Sequence, residues 1–267
     1  MTGAAMTKSA VAAQGLKLHR GAAFGEVSIT PLQPLSPANA PIPLIGTALA
    51  INYLTLGVPS VSTCSRGGAR NSASRESYGL TAIQVRKILD ASIHATIIGL
   101  PLNRMFTVHW QAAGVSLLSM VKATGRFIDL LTRALARKGH LTSWVFIHES
   151  GEGKGGHLHL LAHVPPKLAK SIVRQQIGWL KLITGLPYRK GVIRSDPIGG
   201  RLGLETGNPP LHAANLHVAL GYVCKGASQA ILDAAGLDRQ HQSGGRIIGK
   251  RCGTSQNIGR KARETHL

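Results

Sequence analysis

At 267 residues the chain is long enough for one good-sized domain with appendages and a real buried core. Lysine and arginine outnumber aspartate and glutamate by 31 to 11, a formal net charge of +20, so solubility and compactness would suffer unless a polyanion were the natural partner. Nucleic acid is therefore the leading partner class, while Cys64, Cys224 and Cys252, odd in number and without Cys-x-x-Cys spacing, point away from a disulfide framework or a cysteine zinc site and fit a reducing cytoplasm.

Residues 1–69 are rich in Ala, Gly, Ser and Pro, hold the proline cluster from Pro31 to Pro43, and show no sustained period of 2 or 3.6. They read as a disordered, low-complexity leader. Its apolar run from Leu44 to Val58 is short for a membrane span and is bracketed by Pro41, Pro43 and Pro59, so no membrane partner is expected. Residues 70–238 read as the folded domain and 239–267 as a basic C-terminal tail. Within the domain, Ile83, Val85, Ile88 and Leu89 predict a helix from Thr81 to about Ile93, and the alternation of Arg104 to Trp110 predicts a strand. Lys122 to Lys138 is an amphipathic helix, with Phe127, Leu130, Leu131, Ala134 and Leu135 inward and Arg126, Arg133, Arg137 and Lys138 outward.

A strand from Ser143 to Glu149, a glycine-rich turn from Ser150 to Gly156 and a strand from His157 to Val164 form a hairpin. Pro165 and Pro166 end it. The helix from Lys167 to Ile183 carries Leu168, Ile172, Ile177, Leu180 and Leu182 among its apolar positions, and a last helix starts near Leu211 with Leu216, Leu220, Val223 and Ala227 as its core stripe. The order implies an α+β fold with helices packed on an antiparallel sheet.

Two positions on that scaffold carry chemistry. Alternate side chains of a strand face opposite ways, so His157 and His159 share one face while Leu158, Leu160, Ala162 and Val164 enter a core. Two imidazoles on a rigid strand are half of a metal site, and a carboxylate would supply the third ligand. Glu149 is the acid that hairpin pairing brings nearest, Glu152 sits in the turn, and His148 points away from Glu149; alternation alone leaves open which of the two faces meets the histidines. His163 shares the face of His159 but stands roughly 13 Å beyond it, too far for one ion. The second position is Tyr222 with Lys225, three apart on one helix face. A phenol attacks phosphorus well only with a lowered pKa or an assisting base, and Lys225 could favour the phenolate or hold a phosphate.

Phe106-Thr107-Val108-His109-Trp110, then His157-Leu158-His159 followed by hydrophobics, then Tyr222-Val223-Cys224-Lys225 resemble, in that order, the three motifs of the HUH single-strand DNA endonucleases. The single suitably placed tyrosine resembles the rolling-circle replication initiators of plasmids and phages; relaxases, whose tyrosine precedes the histidines, resemble the chain less. The resemblance spans roughly 104–226 and implies a ferredoxin- or RRM-like core. It further implies that His157, His159 and Glu149 bind Mg²⁺ or Mn²⁺, that Tyr222 attacks the nicking-site phosphate to leave a 5′-phosphotyrosine and a free 3′-hydroxyl, and that Lys225 assists. The implied partners are single-stranded or hairpin DNA at a replication origin, with a host helicase and polymerase, since no Walker-type motif occurs. In the tail, Arg246, Lys250, Arg251, Arg260 and Lys261 are the expected phosphate contacts. The competing expectations are a transposase using the same single-tyrosine chemistry and a non-catalytic basic DNA-binding protein.

Overall fold

The computed structural model describes residues 74–265 apart from 152 and 154; the expected leader, its apolar run and Cys64 lie outside them. In chain order the elements are β1 (Glu76–Ser77), α1 (Ala82–Ile97), β2 (Arg104–His109), α2 (Met120–Ala136), β3 (Trp144–Gly151), β4 (Gly155–Ala162) and α3 (Ala169–Thr184). Then follow β5 (Ile193–Pro197), the short α4 (Leu204–Gly207), α5 (Pro209–Cys224), α6 (Gln229–Ala234), β6 (Ile247–Ile248), β7 (Cys252–Thr254) and α7 (Arg260–Glu264). No helix among the described residues is long and apolar enough to cross a membrane.

A five-stranded antiparallel sheet in the order β5-β2-β4-β3-β7 is covered by helices on both faces. The fold is α+β, as its alternating strand and helix patterns imply. On one face Phe106, Val108, Leu158, Leu160, Ala162 and Val164 pack against α2 and α3. Phe127 is the hub of that layer, meeting Phe106, Trp110 and Trp179 edge-on at centroid distances of 6.3, 6.4 and 5.7 Å. On the other face Val145, Ile147 and Leu161 pack against Val85, Ile88 and Leu89 of α1 and against the Leu216, Leu220, Val223 and Ala227 stripe at α5.

Local chemistry accounts for several boundaries. Thr81 caps α1 in a reciprocal box: Gln84 N–H donates to Thr81 Oγ1, and Thr81 N–H donates to Gln84 Oε1 at 2.9 Å. α5 begins at Pro209 rather than Leu211, because a first-turn proline lacks only an amide that would have no partner, and Asn208 accepts from Leu211 N–H. In α3 the apolar positions divide between the core and solvent. Ile172 and Leu180 are buried together with Trp179 and Gln176, whereas Ile177 and Leu182 are 41% and 60% exposed. Positions 172, 176, 179 and 180 share one 3.6-residue face and 177 and 182 do not.

Residues 239–265 are built into the fold. β6 pairs with β1, β7 forms the sheet edge beside β3, and Ile247 and Ile258 are fully buried. Arg251 is buried too: its guanidinium donates to the carbonyls of Ser77 and Gly245 at 2.5 Å and of Gly244 at 3.2 Å, and to Ser77 Oγ at 2.9 Å. Five donors on a planar fork can satisfy several carbonyls at once. Arg251 therefore ties the C-terminal segment to β1 instead of facing a phosphate, a correction to its expected role. Arg246 pairs with Glu76 and Arg260 with Glu264, while Lys250 and Lys261 are exposed.

His148 locks β7 to the α2 side of the sheet. Its Nδ1 donates to the Lys250 carbonyl at 2.8 Å, its Nε2 meets Thr124 Oγ1 at 2.8 Å, and Thr124 Oγ1 accepts from Trp110 Nε1 at 2.9 Å. That chain is complete with a neutral imidazole, and burial pushes the His148 pKa down to about 4. Unfolded His148 takes up a proton near its ordinary 6.5, so its contribution to stability is present above that value and is lost as pH falls toward about 4. Chemical denaturation at pH 5 and pH 7 should show this group costing about 2 kcal/mol of stability at the lower pH. In His148→Gln that part of the acid sensitivity should vanish.

Candidate active site

The hairpin register builds the site. β3 and β4 pair with Glu149 opposite His157 and Ile147 opposite His159, so Glu149 stands on the face of the two histidines and His148 on the reverse face opposite Leu158. This decides what alternation left open. One Glu149 oxygen, Oε2, lies 3.1 Å from His157 Nε2 and 3.3 Å from His159 Nε2. All three side chains are buried, and their ligand atoms lie within 4.8 Å of one another. On the neighbouring strand, β2 sets Thr107 opposite His159 and His109 opposite His157.

The outer nitrogens of both imidazoles are held. His157 Nδ1 lies 3.1 Å from the Gly155 carbonyl, which can only accept, so that nitrogen carries the proton. His159 Nδ1 meets Thr107 Oγ1 at 3.2 Å. A neutral His157 thus aims the lone pair of Nε2 at a carboxylate oxygen, and that contact is favourable only with a cation between the two or a second proton on the ring. An imidazole whose far N–H is anchored to a carbonyl is the usual outer support of a metal ligand. The Glu149, His157 and His159 group can hold a divalent metal ion. Its chemistry fits, with two nitrogens and one oxygen, ring orientations set from behind, and rigid strands beneath.

The last turn of α5 supplies the other half. Lys225, 7% exposed, reaches both Glu149 oxygens at 2.6 and 2.5 Å. Tyr222, one turn earlier and half-buried, sets its ring edge-on to His159 with centroids 5.2 Å apart, and Lys225 Nζ stands 4.2 Å from the Tyr222 ring centroid. The helix end is pinned where Leu80 N–H donates to the Gly226 carbonyl at 3.1 Å and Leu80 bridges Ala227. Gly79 is required there, because a β-carbon would stand 2.9 Å from the Gly226 oxygen.

Burial alone would raise the Glu149 pKa, yet the close contacts of His157 and His159, which become donated hydrogen bonds when those rings take a second proton, and the charges of His159 and Lys225 outweigh it and hold the carboxyl far below its ordinary range. Burial lowers the His159 pKa, which favours the neutral ring a metal ligand needs, although Glu149 opposes it. The Tyr222 phenol is raised by burial and by Glu149 and is lowered by Arg239 and Arg194. Lys225 is engaged by Glu149, while Arg239 and Arg194 act on the phenol from outside that pair. Cys224 is interior packing; burial pushes its thiol up to about 12, which removes it as a nucleophile at neutral pH.

Five expected residues, Glu149, His157, His159, Tyr222 and Lys225, come together here, drawn from β3, β4 and α5. Lys250, Arg246, Arg260 and Lys261 belong to the C-terminal segment and contribute no contact to this cluster. His163 stands apart, with Nδ1 donating to the Pro101 carbonyl at 2.9 Å. Two residues beside the site were not singled out by sequence reasoning. His109 stacks on His157 with centroids 5.5 Å apart at 21°, and the signal for it was its place on the histidine face of β2. Arg239 lies with its guanidinium carbon 5.4 Å from the Tyr222 ring centroid, and no local pattern pointed to it. No protein-family model, curated protein or solved structure matches the chain.

Glu149 is the shared counter-charge, so Glu149→Gln should leave Lys225 buried without a partner charge and cost about 3–5 kcal/mol in denaturant titration. Adding Lys225→Met to that variant should recover part of the loss. In thermal melts, Mn²⁺ should raise the transition of the unmodified chain and leave that of His157→Ala/His159→Ala unmoved.

Proposed function

We propose that the chain is a metal-dependent nuclease that nicks and rejoins single-stranded DNA through Tyr222, with the initiation of rolling-circle replication as its setting. The observation that carries this reading is the contact between the Tyr222 ring and His159, because it places the only candidate nucleophile on that helix against the metal-ligand group. The net charge of +20 supports a polyanionic substrate. The order of the three motifs is that of the HUH initiators which the chain resembles.

In this reading Glu149, His157 and His159 hold Mg²⁺ or Mn²⁺. When bound, the ion withdraws charge from a non-bridging phosphate oxygen and makes phosphorus easier to attack. Mg²⁺ is a hard cation that prefers oxygen ligands, whereas Mn²⁺, a first-row transition ion, tolerates imidazole nitrogen better, which makes Mn²⁺ the better probe. Tyr222 gives up its phenolic proton to solvent as its oxygen bonds to phosphorus, and the bond from phosphorus to the 3′-oxygen breaks. That oxygen leaves as a 3′-hydroxyl after taking up a proton. The products are a 5′-phosphotyrosine and a primer end for a polymerase. One ester replaces another, so attack by a 3′-hydroxyl reverses the step with no nucleotide cofactor. Lys225, paired with Glu149 and over the Tyr222 ring, keeps positive charge where a phosphate would arrive. Duplex opening falls to a helicase partner, and the implied compartment is the cytoplasm.

The transposase reading shares each of these residues and differs in outcome: strand transfer between hairpin-flanked ends, instead of origin-specific nicking. The non-catalytic DNA-binding reading draws on one observation, that Glu149 and Lys225 satisfy one another without any ion.

A labelled pool of single-stranded oligonucleotides, incubated with Mn²⁺ or EDTA and run on a denaturing gel, separates these readings. A denaturation-resistant adduct that requires metal and is lost in Tyr222→Phe, with DNA binding retained, is the expected result. An adduct that persists in Tyr222→Phe would remove Tyr222 as nucleophile, and binding without any adduct across the pool would leave the non-catalytic reading.

A further inference from the structure

Several cationic groups around the sheet are already matched. Arg194 pairs with Asp196 at 2.6 Å, Arg246 with Glu76, Arg260 with Glu264 and Lys225 with Glu149, while Arg251 is spent on backbone carbonyls. Arg239 differs. Among the described residues no carboxylate lies within ion-pair distance of its guanidinium, which rests instead over the ring of Tyr222, 5.4 Å from the centroid.

The chain does not leave Arg239 there by chance of a loose loop. Residues 238–242 run across the end of α5 as a strap with both sides fastened. Gln229, at the start of α6, donates to the Arg239 carbonyl at 3.2 Å and accepts from His241 N–H at 2.8 Å. His241 Nδ1 donates to the Ala227 carbonyl at 2.6 Å, and Gln242 N–H donates to the Lys225 carbonyl at 2.9 Å. Gly221, directly before Tyr222, lies under the strap, where a β-carbon would stand in ordinary contact with Arg239 Cβ at 3.6 Å. The strap is therefore tied to the same helix end that presents Tyr222 and Lys225.

A cation fixed beside a nucleophile, exposed and without a carboxylate, is a site for an anion. Guanidinium is suited to the task because its parallel N–H donors match two oxygens of a phosphodiester. Lys225 and Arg239 are both set against the Tyr222 ring, the first buried against Glu149 and the second open to solvent.

We infer that Arg239 is a substrate-binding residue that grips the phosphodiester to be attacked by Tyr222 and fixes it over the phenol. The inference rests on the proposed reading of Tyr222 as nucleophile, yet its core, a phosphate contact at Arg239, can be tested apart from it. The first measurement is affinity for a single-stranded oligonucleotide, in a Tyr222→Phe background so that no turnover occurs, as a function of salt. Arg239→Gln should weaken binding about tenfold and reduce the salt slope by about one. Arg239→Lys should keep the salt slope and lose only the two-pronged contact. Arg137→Gln, an exposed charge just past α2 on the opposite face of the sheet, serves as the comparison and should weaken binding far less.

The second measurement is the rate of adduct formation with Tyr222 intact, where Arg239→Gln should lower the saturated rate as well as raise the DNA concentration needed. Mn²⁺ stabilisation in thermal melts reports whether the Glu149, His157 and His159 group survives the change, and it should be unaltered. Oligonucleotide affinity, salt slope and adduct rate all at wild-type values in Arg239→Gln would overturn the inference. So would loss of Mn²⁺ stabilisation in that variant, which would make Arg239 a structural support. If the unmodified chain forms no adduct but Arg239→Gln still loses affinity and salt slope, the nicking reading falls and the phosphate contact stands.

Discussion

A single buried carboxylate organises this molecule. Glu149 sits in the interior between a sheet and a helix, where an unpaired charge would cost several kcal/mol. It is tolerable because Lys225 and two imidazoles converge on it. The four groups come from three elements, Glu149 from β3, both histidines from β4 and Lys225 from the end of α5. The convergence therefore holds only when hairpin register and helix docking are both right. A slip of one residue in the hairpin would send Glu149 to the reverse face, among the aromatic side chains around Phe127.

The two faces of the sheet divide the work. The α2 and α3 face is apolar and aromatic apart from two buried polar groups, the His148, Thr124 and Trp110 chain and Arg104 with Gln176 on Ser195, whose hydrogen-bonding groups are used internally. The α1 and α5 face is apolar at one end and ionisable at the other, so the site has a rigid floor and a single helix as its wall. Precision at the site follows from strands, not loops, as a metal-ligand group needs.

The excess positive charge is likewise unevenly used. Arg251, Arg246 and Arg260 are engaged in the architecture of the C-terminal segment, while Arg239 and the exposed Lys250 and Lys261 face outward. A basic composition points to a polyanionic partner in aggregate, but it does not say which cation touches it. Burial and competition from backbone carbonyls decide that residue by residue.

The pattern in the chain was enough to place the three central strands β2, β3 and β4 and the four long helices, the shared face of His157 and His159, the inward stripe of α5 and the pairing of Tyr222 with Lys225 one turn apart. Each of these follows from a local period, 2.0 in a strand and 3.6 in a helix, and a local period is written in neighbouring residues. Tertiary structure alone decided the rest. It chose Glu149 over His148 for the histidine face, turned Lys225 toward that carboxylate, brought Tyr222 against His159, made residues 247–254 part of the sheets, buried Arg251 and strapped Arg239 over the phenol. These depend on register and on docking between segments far apart in the chain, which are set by how much apolar surface is buried and which polar groups find partners, and no window of neighbouring residues contains that information.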